Sequence, residues 1–128
     1  MLIKGQCYHT KHYKVWLENG IIYTSWTEDS IITLKLIKEV VKKYWKLTEG
    51  IARPLFLDMS GILAIKGDAR RYLAGSDATK YVSAGAIYVD DHLLFLAAKV
   101  FIHVDEPPVP YRVFTERDSA MQWLELFK

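Results

Sequence analysis

The stretch from Arg53 to Tyr72, RPLFLDMSGILAIKGDARRY, decides the fold that this sequence predicts. Within it, Pro54–Asp58 is short, apolar and bounded by turn-forming residues, which is typical of a strand buried on both faces. Ser60-Gly61 predicts a turn, Ile62–Ile65 continues the core, and a short charged helix runs from Gly67 to about Leu73. In α/β folds the carboxyl end of a central strand is where sites lie, so we expect a site here.

On the N-terminal side, two alternating runs and one amphipathic run precede this stretch. Tyr13–Glu18 and Ile21–Trp26 flank Asn19-Gly20, a strong hairpin signal because both turn residues tolerate positive φ. Leu34–Thr48 has apolar residues spaced three or four apart and lysines on its other face, which predicts a helix crossing over to the next strand. Residues 1–12 show little pattern and are predicted to be a loose lead-in.

On the C-terminal side, two further strands alternate with helices. Ala84–Val89 predicts a second buried strand, and Asp90 or Asp91 is expected to cap the following helix, whose nearly continuous apolar residues predict that it is well buried. Tyr111–Phe114 is the last strand, and a final helix follows it. The order β-β-α-β-α-β-α-β-α implies parallel strands with right-handed crossovers. We therefore predict an α/β fold in one domain over residues 1–128, with a mixed sheet, a parallel centre and the N-terminal hairpin at one edge.

Composition narrows the function classes. The chain has 128 residues, of which 51% are hydrophobic and 25% charged, enough apolar residues to build a core. The net charge of +2 is too small to indicate a nucleic-acid or membrane surface. Residues 1–53 hold nine basic and five acidic residues, and the excess lies mostly on Lys35–Lys46, where a solvated helix face explains it.

Cysteine usage and hydropathy predict where the protein resides. Cys7 is the only cysteine, so no intrachain disulfide can form. The N-terminal residues lack the apolar core of a signal peptide, and no apolar run approaches the roughly 20 residues of a membrane helix. We expect a cytoplasmic protein with no integral membrane segment.

The first candidate site combines a carboxylate at a strand end with charges at the next helix start. Asp58 ends its strand, and Lys66, Asp68, Arg70 and Arg71 crowd the helix that follows. A helix start offers free backbone N–H groups and a positive dipole end, which suit an anion or a phosphate. The structural alternative is that Asp68 serves as a capping anion and both arginines are solvated.

Two further clusters contain residue types that can carry chemistry. Asp90-Asp91-His92 places a histidine beside two carboxylates, which suits acid–base work, although a helix cap followed by an exposed histidine explains the same residues. Cys7-x-His9-x-x-His12 holds zinc-ligand types, but a closed zinc site needs four ligands. We predict no catalytic group, no metal and no cofactor.

Three stretches together resemble the SpoIIAA-like, or STAS (anti-sigma-factor antagonist), domain family, in its group of uncharacterised bacterial proteins labelled STAS/SEC14. They are LFLDMSGILAIKGDARRY at Leu55–Tyr72, AGAIYVDD at Ala84–Asp91 and VPYRVFTERDSAMQWL at Val109–Leu124. The resemblance spans roughly residues 13–127 and rests on the order and spacing of these stretches. It implies a SpoIIAA-like fold.

The resemblance also bears on regulation. In the family's switch proteins, a turn of the type LDLSGV leads to an Asp-Ser-Ser-Gly helix start, and a kinase that is also an anti-sigma factor phosphorylates the second serine. Here LDMSGILAI matches the lead-in, and Lys66-Gly67-Asp68-Ala69 stands at the helix start. The resemblance places Asp68 at the phosphoacceptor position, with a fixed negative charge in place of a regulated one. Ser60 belongs to the upstream turn.

These observations favour a non-enzymatic binding or regulatory module of STAS type that lacks the phosphorylatable serine. Its surface is expected at Asp58 and Lys66–Arg71 together with the Asp90–His92 loop, and its partner is either another protein or a second copy. The first alternative is a binder of a small anion or amphiphile, based on the helix start and on Ile62–Ile65. The second is an enzyme that uses Asp90, Asp91 and His92. We expect no nucleic-acid partner.

Overall fold

The computed structural model describes residues 7–128 and contains a six-stranded sheet and a separate two-stranded sheet. The strands are β1 (Cys7–His9), β2 (Tyr13–Glu18), β3 (Ile21–Trp26), β4 (Ile31–Ile32), β5 (Arg53–Asp58), β6 (Ala64–Ile65), β7 (Val82–Tyr88) and β8 (Tyr111–Phe114). The large sheet has the order β1-β2-β3-β5-β7-β8, and β4 pairs with β6.

The helices alternate with the strands of the parallel half. They are α1 (Leu34–Thr48), α2 (Gly67–Leu73), α3 (Ser76–Thr79), α4 (His92–Val100) and α5 (Arg117–Glu125). A π-helical turn, Phe101–Asp105, extends α4. Within residues 7–128, no helix is long and apolar enough to span a bilayer.

The pairing of the strands confirms the predicted fold class. The first three strands are antiparallel neighbours, whereas β3, β5, β7 and β8 pair in parallel. The hairpin of β2 and β3 has the predicted bounds, and its turn residues Asn19 and Gly20 have φ of 51° and 78°. Such positive values are those that Asn-Gly tolerates. The sheet is therefore mixed with a parallel centre.

The N-terminal lead-in was predicted wrongly in part. Residues 7–9 form β1, which pairs antiparallel with β2 and takes the sheet edge that the hairpin was expected to occupy. The unpaired N–H and C=O groups of β2 form a template for such a strand. Tyr8 adds packing against the core, and the Thr10 side chain accepts a hydrogen bond from the Tyr13 N–H at 3.1 Å, closing the turn. Residues 1–6 lie outside the described residues.

The helices divide unequally between the two faces of the sheet. The first four pack on one face, over a large core that includes Val15, Leu55 and Ile87. Among the described helices, only α5 packs on the other face, where Phe56 and Leu124 belong to a smaller core. Alternate residues of each central strand therefore serve different cores, because successive side chains of a strand point to opposite faces.

Helix α4 is less buried than its sequence predicted. Leu94, Ala98 and, in the π-helical turn, Phe101 are buried, but Leu93 and Leu96 are 74% and 47% exposed. Only one side of the helix meets the sheet, so the expectation of a well-buried helix is wrong. A nearly continuous apolar pattern lacks the contrast that would tell the packed side from the free side.

Candidate functional site

Asp58, the carboxylate at the end of β5, is buried and bound on several sides. It accepts hydrogen bonds from the Ser60 N–H at 3.0 Å and the Ser60 hydroxyl at 2.6 Å. It also forms an ion pair with Arg117 of α5. The guanidinium of Arg117 lies 5.3 Å from the ring centre of Phe56 and 5.0 Å from that of Tyr88. Asp58 therefore ties the turn after β5 to the start of α5.

Arg117 was missed in the sequence, although one signal pointed to it. An arginine in the first turn of a helix faces the positive end of the helix dipole, which is unfavourable without a compensating carboxylate. The carboxylate is Asp58, 59 positions earlier in the chain.

Arg70 is also used inside the molecule. Its Nε and Nη2 donate to the two carboxylate oxygens of Asp105 at 2.5 and 3.3 Å. The Asp105 side chain is only 4% exposed and that of Arg70 25% exposed, so most of this pair is shielded from water. Two parallel N–H···O bonds give it a fixed geometry. The pair joins α2 to the π-helical turn after α4.

The other charges at the start of α2 face outward. Lys66, Asp68 and Arg71 are exposed, and within residues 7–128 none of them makes an ion pair. Lys66 holds the N-cap position without a side-chain cap, so Asp68 is not the N-cap residue. Its carboxylate instead accepts from the Ala69 N–H at 2.8 Å, which occupies one of the free first-turn donors.

The Asp90–His92 cluster divides in a similar way. Asp91 is the N-cap of α4 and accepts from the backbone N–H groups of Leu93 and Leu94 at 2.7 and 3.3 Å, which confirms the predicted cap. Asp90 and His92 are exposed and border an open depression. The carboxylate next to the histidine is thus committed to the helix start.

An apolar stripe on the outer side of α4 and its π-helical turn was not anticipated. We define the apolar stripe as Leu93, Leu96, Val100 and Val104, which are 74%, 47%, 38% and 67% exposed. Spacings of three and four positions place them on one side of the helix. Leu63, in the loop between β5 and β6, is 63% exposed. The spacing was readable in the sequence, but the same helix has a second apolar side that packs.

The apolar stripe and the α2 start belong to adjacent elements. Between α2, α4 and the ends of β5 and β7 lies an apolar cavity of about 30 Å³. Its lining residues are Leu57, Met59, Ile62, Ile65, Arg70, Leu73, Ile87, Val89, Leu94, Ala97, Ala98 and Phe101. Ligand pockets typically measure about 300–1,000 Å³, so an amphiphile does not fit inside.

The cysteine and the two histidines that could act as zinc ligands lie on β1 and in the turn that follows it. Cys7 and His9 are exposed on β1, and His12 is exposed in the following turn. Within residues 7–128, no three His, Cys, Asp or Glu side chains are grouped so that they could hold a metal ion.

Comparison with known proteins gives a family and a fold. The model of a family described as a domain of unknown function, DUF7793, matches residues 15–128. The fold is similar to the crystal structure of an uncharacterised protein of the DUF3478 family with a SpoIIAA-like fold from Shewanella loihica PV-4. That structure has 15% sequence identity and a TM-score of 0.67, and the match covers 91% of this chain and 97% of the other. No curated protein matches the sequence. The expected SpoIIAA-like fold is confirmed.

Proposed function

Since the chain belongs to the DUF7793 family and has a SpoIIAA-like fold, we propose that it is a non-enzymatic module that binds a protein partner. The proposed docking surface consists of the apolar stripe, Leu63 and the outward-facing charges Lys66, Asp68 and Arg71. Asp58, Arg70 and Asp91 support this surface from inside the fold, through their ion pairs and the helix cap.

The exposed apolar stripe carries the proposal. Large contiguous apolar patches are uncommon on monomeric proteins, and where they are rimmed by polar residues they mark interaction sites. The stripe is held on a rigid base, because Asp91 caps α4 and the pair of Arg70 with Asp105 anchors its far end. A preformed surface loses little conformational entropy when a partner binds.

The charges beside the stripe supply selectivity. Rim charges steer a partner and disfavour wrong ones more than they add affinity. The resemblance to the switch proteins puts Asp68 where a phosphorylated serine would carry negative charge. We therefore propose that binding here is constitutive. We also propose that it takes place in the cytoplasm of a bacterial cell.

Affinity capture with matched variants tests the surface. Leu96→Asp puts a charge into the middle of the apolar stripe, and we expect it to abolish capture of the partner from the native host. Leu126→Asp is the control, because Leu126 is 76% exposed and lies beyond α5, on the other face of the sheet. A protein retained by the wild type and by Leu126→Asp, but lost with Leu96→Asp, supports the proposal.

The contrary result is equally clear. If the three baits retain the same proteins in the same amounts, the apolar stripe is not the docking surface. Light scattering of the purified protein separates a protein partner from self-association: a dimer that dissociates with Leu96→Asp would replace the foreign partner by a second copy.

A further inference from the structure

A second surface, on α1, carries a uniform charge. We define the lysine ridge as Lys35, Lys38, Lys42 and Lys46, all of which are exposed. Their spacing of three or four positions places them along one side of the helix, over about 16 Å at a rise of 1.5 Å per residue. The opposite side of α1, which includes Ile37, Val41 and Tyr44, is buried, so the ridge forms the outer surface of the domain.

Little on the helix neutralises this charge. Glu39 is the only acidic residue of α1, and it accepts a hydrogen bond from the Tyr13 hydroxyl at 3.1 Å. Within residues 7–128, no ridge lysine forms an ion pair. Asp29 and Glu39 border the depression beside Lys35, and Glu39 also lies three positions from Lys42 and four from Lys43. One carboxylate on α1 thus stands against five lysines.

Neighbouring residues extend the positive surface. The Lys43 ammonium lies 5.1 Å from the ring centre of Tyr8, and that of Lys38 lies 5.5 Å from the ring centre of Tyr72 on α2. The aromatic rings hold these ammonium groups by cation–π attraction without cancelling their charge.

The ridge opposes helix stability. Lys38 and Lys42, and again Lys42 and Lys46, are four positions apart, and like charges at this spacing destabilise a helix. A carboxylate at position 42 would turn both repulsions into attractions, at the cost of one repulsion with Glu39 three positions earlier. A solvated helix face therefore explains the exposure of these lysines but not their uniform sign.

We propose that the lysine ridge binds an anionic lipid surface. The outer side of a helix is convex and offers no groove or strand edge to seat an extended acidic peptide. Lysine ammonium groups are point charges without the fork that reads carboxylates, phosphates or bases in a fixed geometry, and they suit a diffuse field of headgroup charge. The binding is peripheral, and it is independent of the partner proposed for the apolar stripe.

Vesicle co-sedimentation tests this proposal with the full chain. Vesicles of phosphatidylcholine with 30% phosphatidylglycerol are compared with pure phosphatidylcholine vesicles at about 0.1 M salt, where screening sets in at about 10 Å. We expect binding only to the anionic vesicles, and loss of binding at 0.5 M salt. Each lysine near such a surface contributes about fivefold, so Lys38→Gln, Lys42→Gln and Lys46→Gln together should weaken binding about 100-fold.

A control of equal charge keeps the result specific. Lys14→Gln, Arg112→Gln and Lys128→Gln together remove the same three charges from exposed positions away from the ridge, and we expect binding to stay within about fivefold of the wild type. Equal weakening of both triple variants, or binding to pure phosphatidylcholine, overturns the proposal. The proposal is also overturned if the protein does not bind anionic vesicles, including the case in which the protein binds duplex DNA or polyglutamate instead.

Discussion

Helices α1 and α4 pack on the same face of the sheet but present opposite chemistry to their surroundings. On α1, the buried side is apolar and the free side carries the lysine ridge. On α4, both sides are apolar, and the free side carries the apolar stripe. The buried sides of both helices stabilise the fold in the same way, by packing in the large core. The free sides differ, so they, rather than the architecture, indicate what the protein binds.

The largest expected difference between the two helices is in the stability lost when one side chain on each is truncated. Ile37→Ala, on the buried side of α1, should lower the free energy of unfolding by about 3 kcal/mol because it leaves a cavity. Leu96→Ala, on the free side of α4, should cost about 0.5 kcal/mol or less. Urea denaturation measures both. A loss at Leu96 as large as that at Ile37 would mean that the apolar stripe is already covered in the purified protein.

The same contrast explains which helix the sequence could describe. The bounds of α1 were predicted correctly, because lysines mark its free side and apolar residues its buried side; in the structure the Thr33 side chain caps its start by accepting from the Leu36 N–H. The start of α4 was also predicted, through Asp91. The burial of α4 was not predicted correctly. Leu93 and Leu94 are the same residue type in the sequence, but Leu93 is 74% exposed and Leu94 is 9% exposed. Periodicity locates a helix but does not say how many of its sides are covered.

At the candidate site, the sequence did not reveal which charged residues pair with each other. Asp58 and Arg70 were expected at an open surface, but each is held by a partner that the local sequence does not reveal. The carboxylate of Asp105 lies 35 positions from Arg70, and Arg117 lies 59 positions from Asp58. Such pairs depend on the packing of elements distant in the chain. The residues of the α2 start that remain outward-facing, such as Asp68, have no such distant partner among residues 7–128.

The pair of Arg70 with Asp105 should prove more important for stability than the pair of Arg117 with Asp58. Arg70→Met leaves the 4%-exposed Asp105 carboxylate without its partner, which should cost about 3 kcal/mol. Arg117 is 56% exposed, so water screens its charge, and Arg117→Met should cost about 1 kcal/mol or less. Thermal and urea unfolding measure both. A loss for Arg70→Met no larger than that for Arg117→Met would contradict the greater contribution of the buried pair.

Alkaline pH should act through the contact between β2 and α1. Burial, followed by the hydrogen bond to Glu39 and its charge, raises the pKa of Tyr13 to about 12. Because the folded-state pKa lies above the unfolded value of 10, the protonated Tyr13 hydroxyl contributes to the free energy of unfolding. This contribution is complete below pH 10 and is lost as the pH rises towards 12. We expect a loss of about 1 kcal/mol across that window from Tyr13, less than the full shift would give, because water near the phenol screens the interaction with Glu39.

The Tyr13→Phe variant isolates this contribution. Burial also raises the pKa of Tyr44 and Tyr111, so both proteins should weaken in alkali. The difference in unfolding free energy between wild type and variant should shrink from pH 8 to pH 11, because the variant has no hydroxyl to ionise at this position. Parallel curves would contradict the assigned role of Tyr13.

The smallest expected effect bears most directly on why α1 and α4 differ. Lys42→Glu replaces two repulsions, with Lys38 and Lys46, by attractions, but it turns the favourable i,i+3 spacing from Glu39 into a repulsion. The net gain in the free energy of unfolding should therefore be about 0.5 kcal/mol. Lys99→Glu on α4 is the control, because no lysine or arginine lies three or four positions from it, so it should give no gain. If Lys42→Glu gains stability and loses anionic vesicles, the ridge is kept for binding at a cost to the helix. An unchanged unfolding midpoint would mean that the lysines do not oppose the fold, and helix stability would then give no reason to expect an anionic surface as the ligand of the ridge.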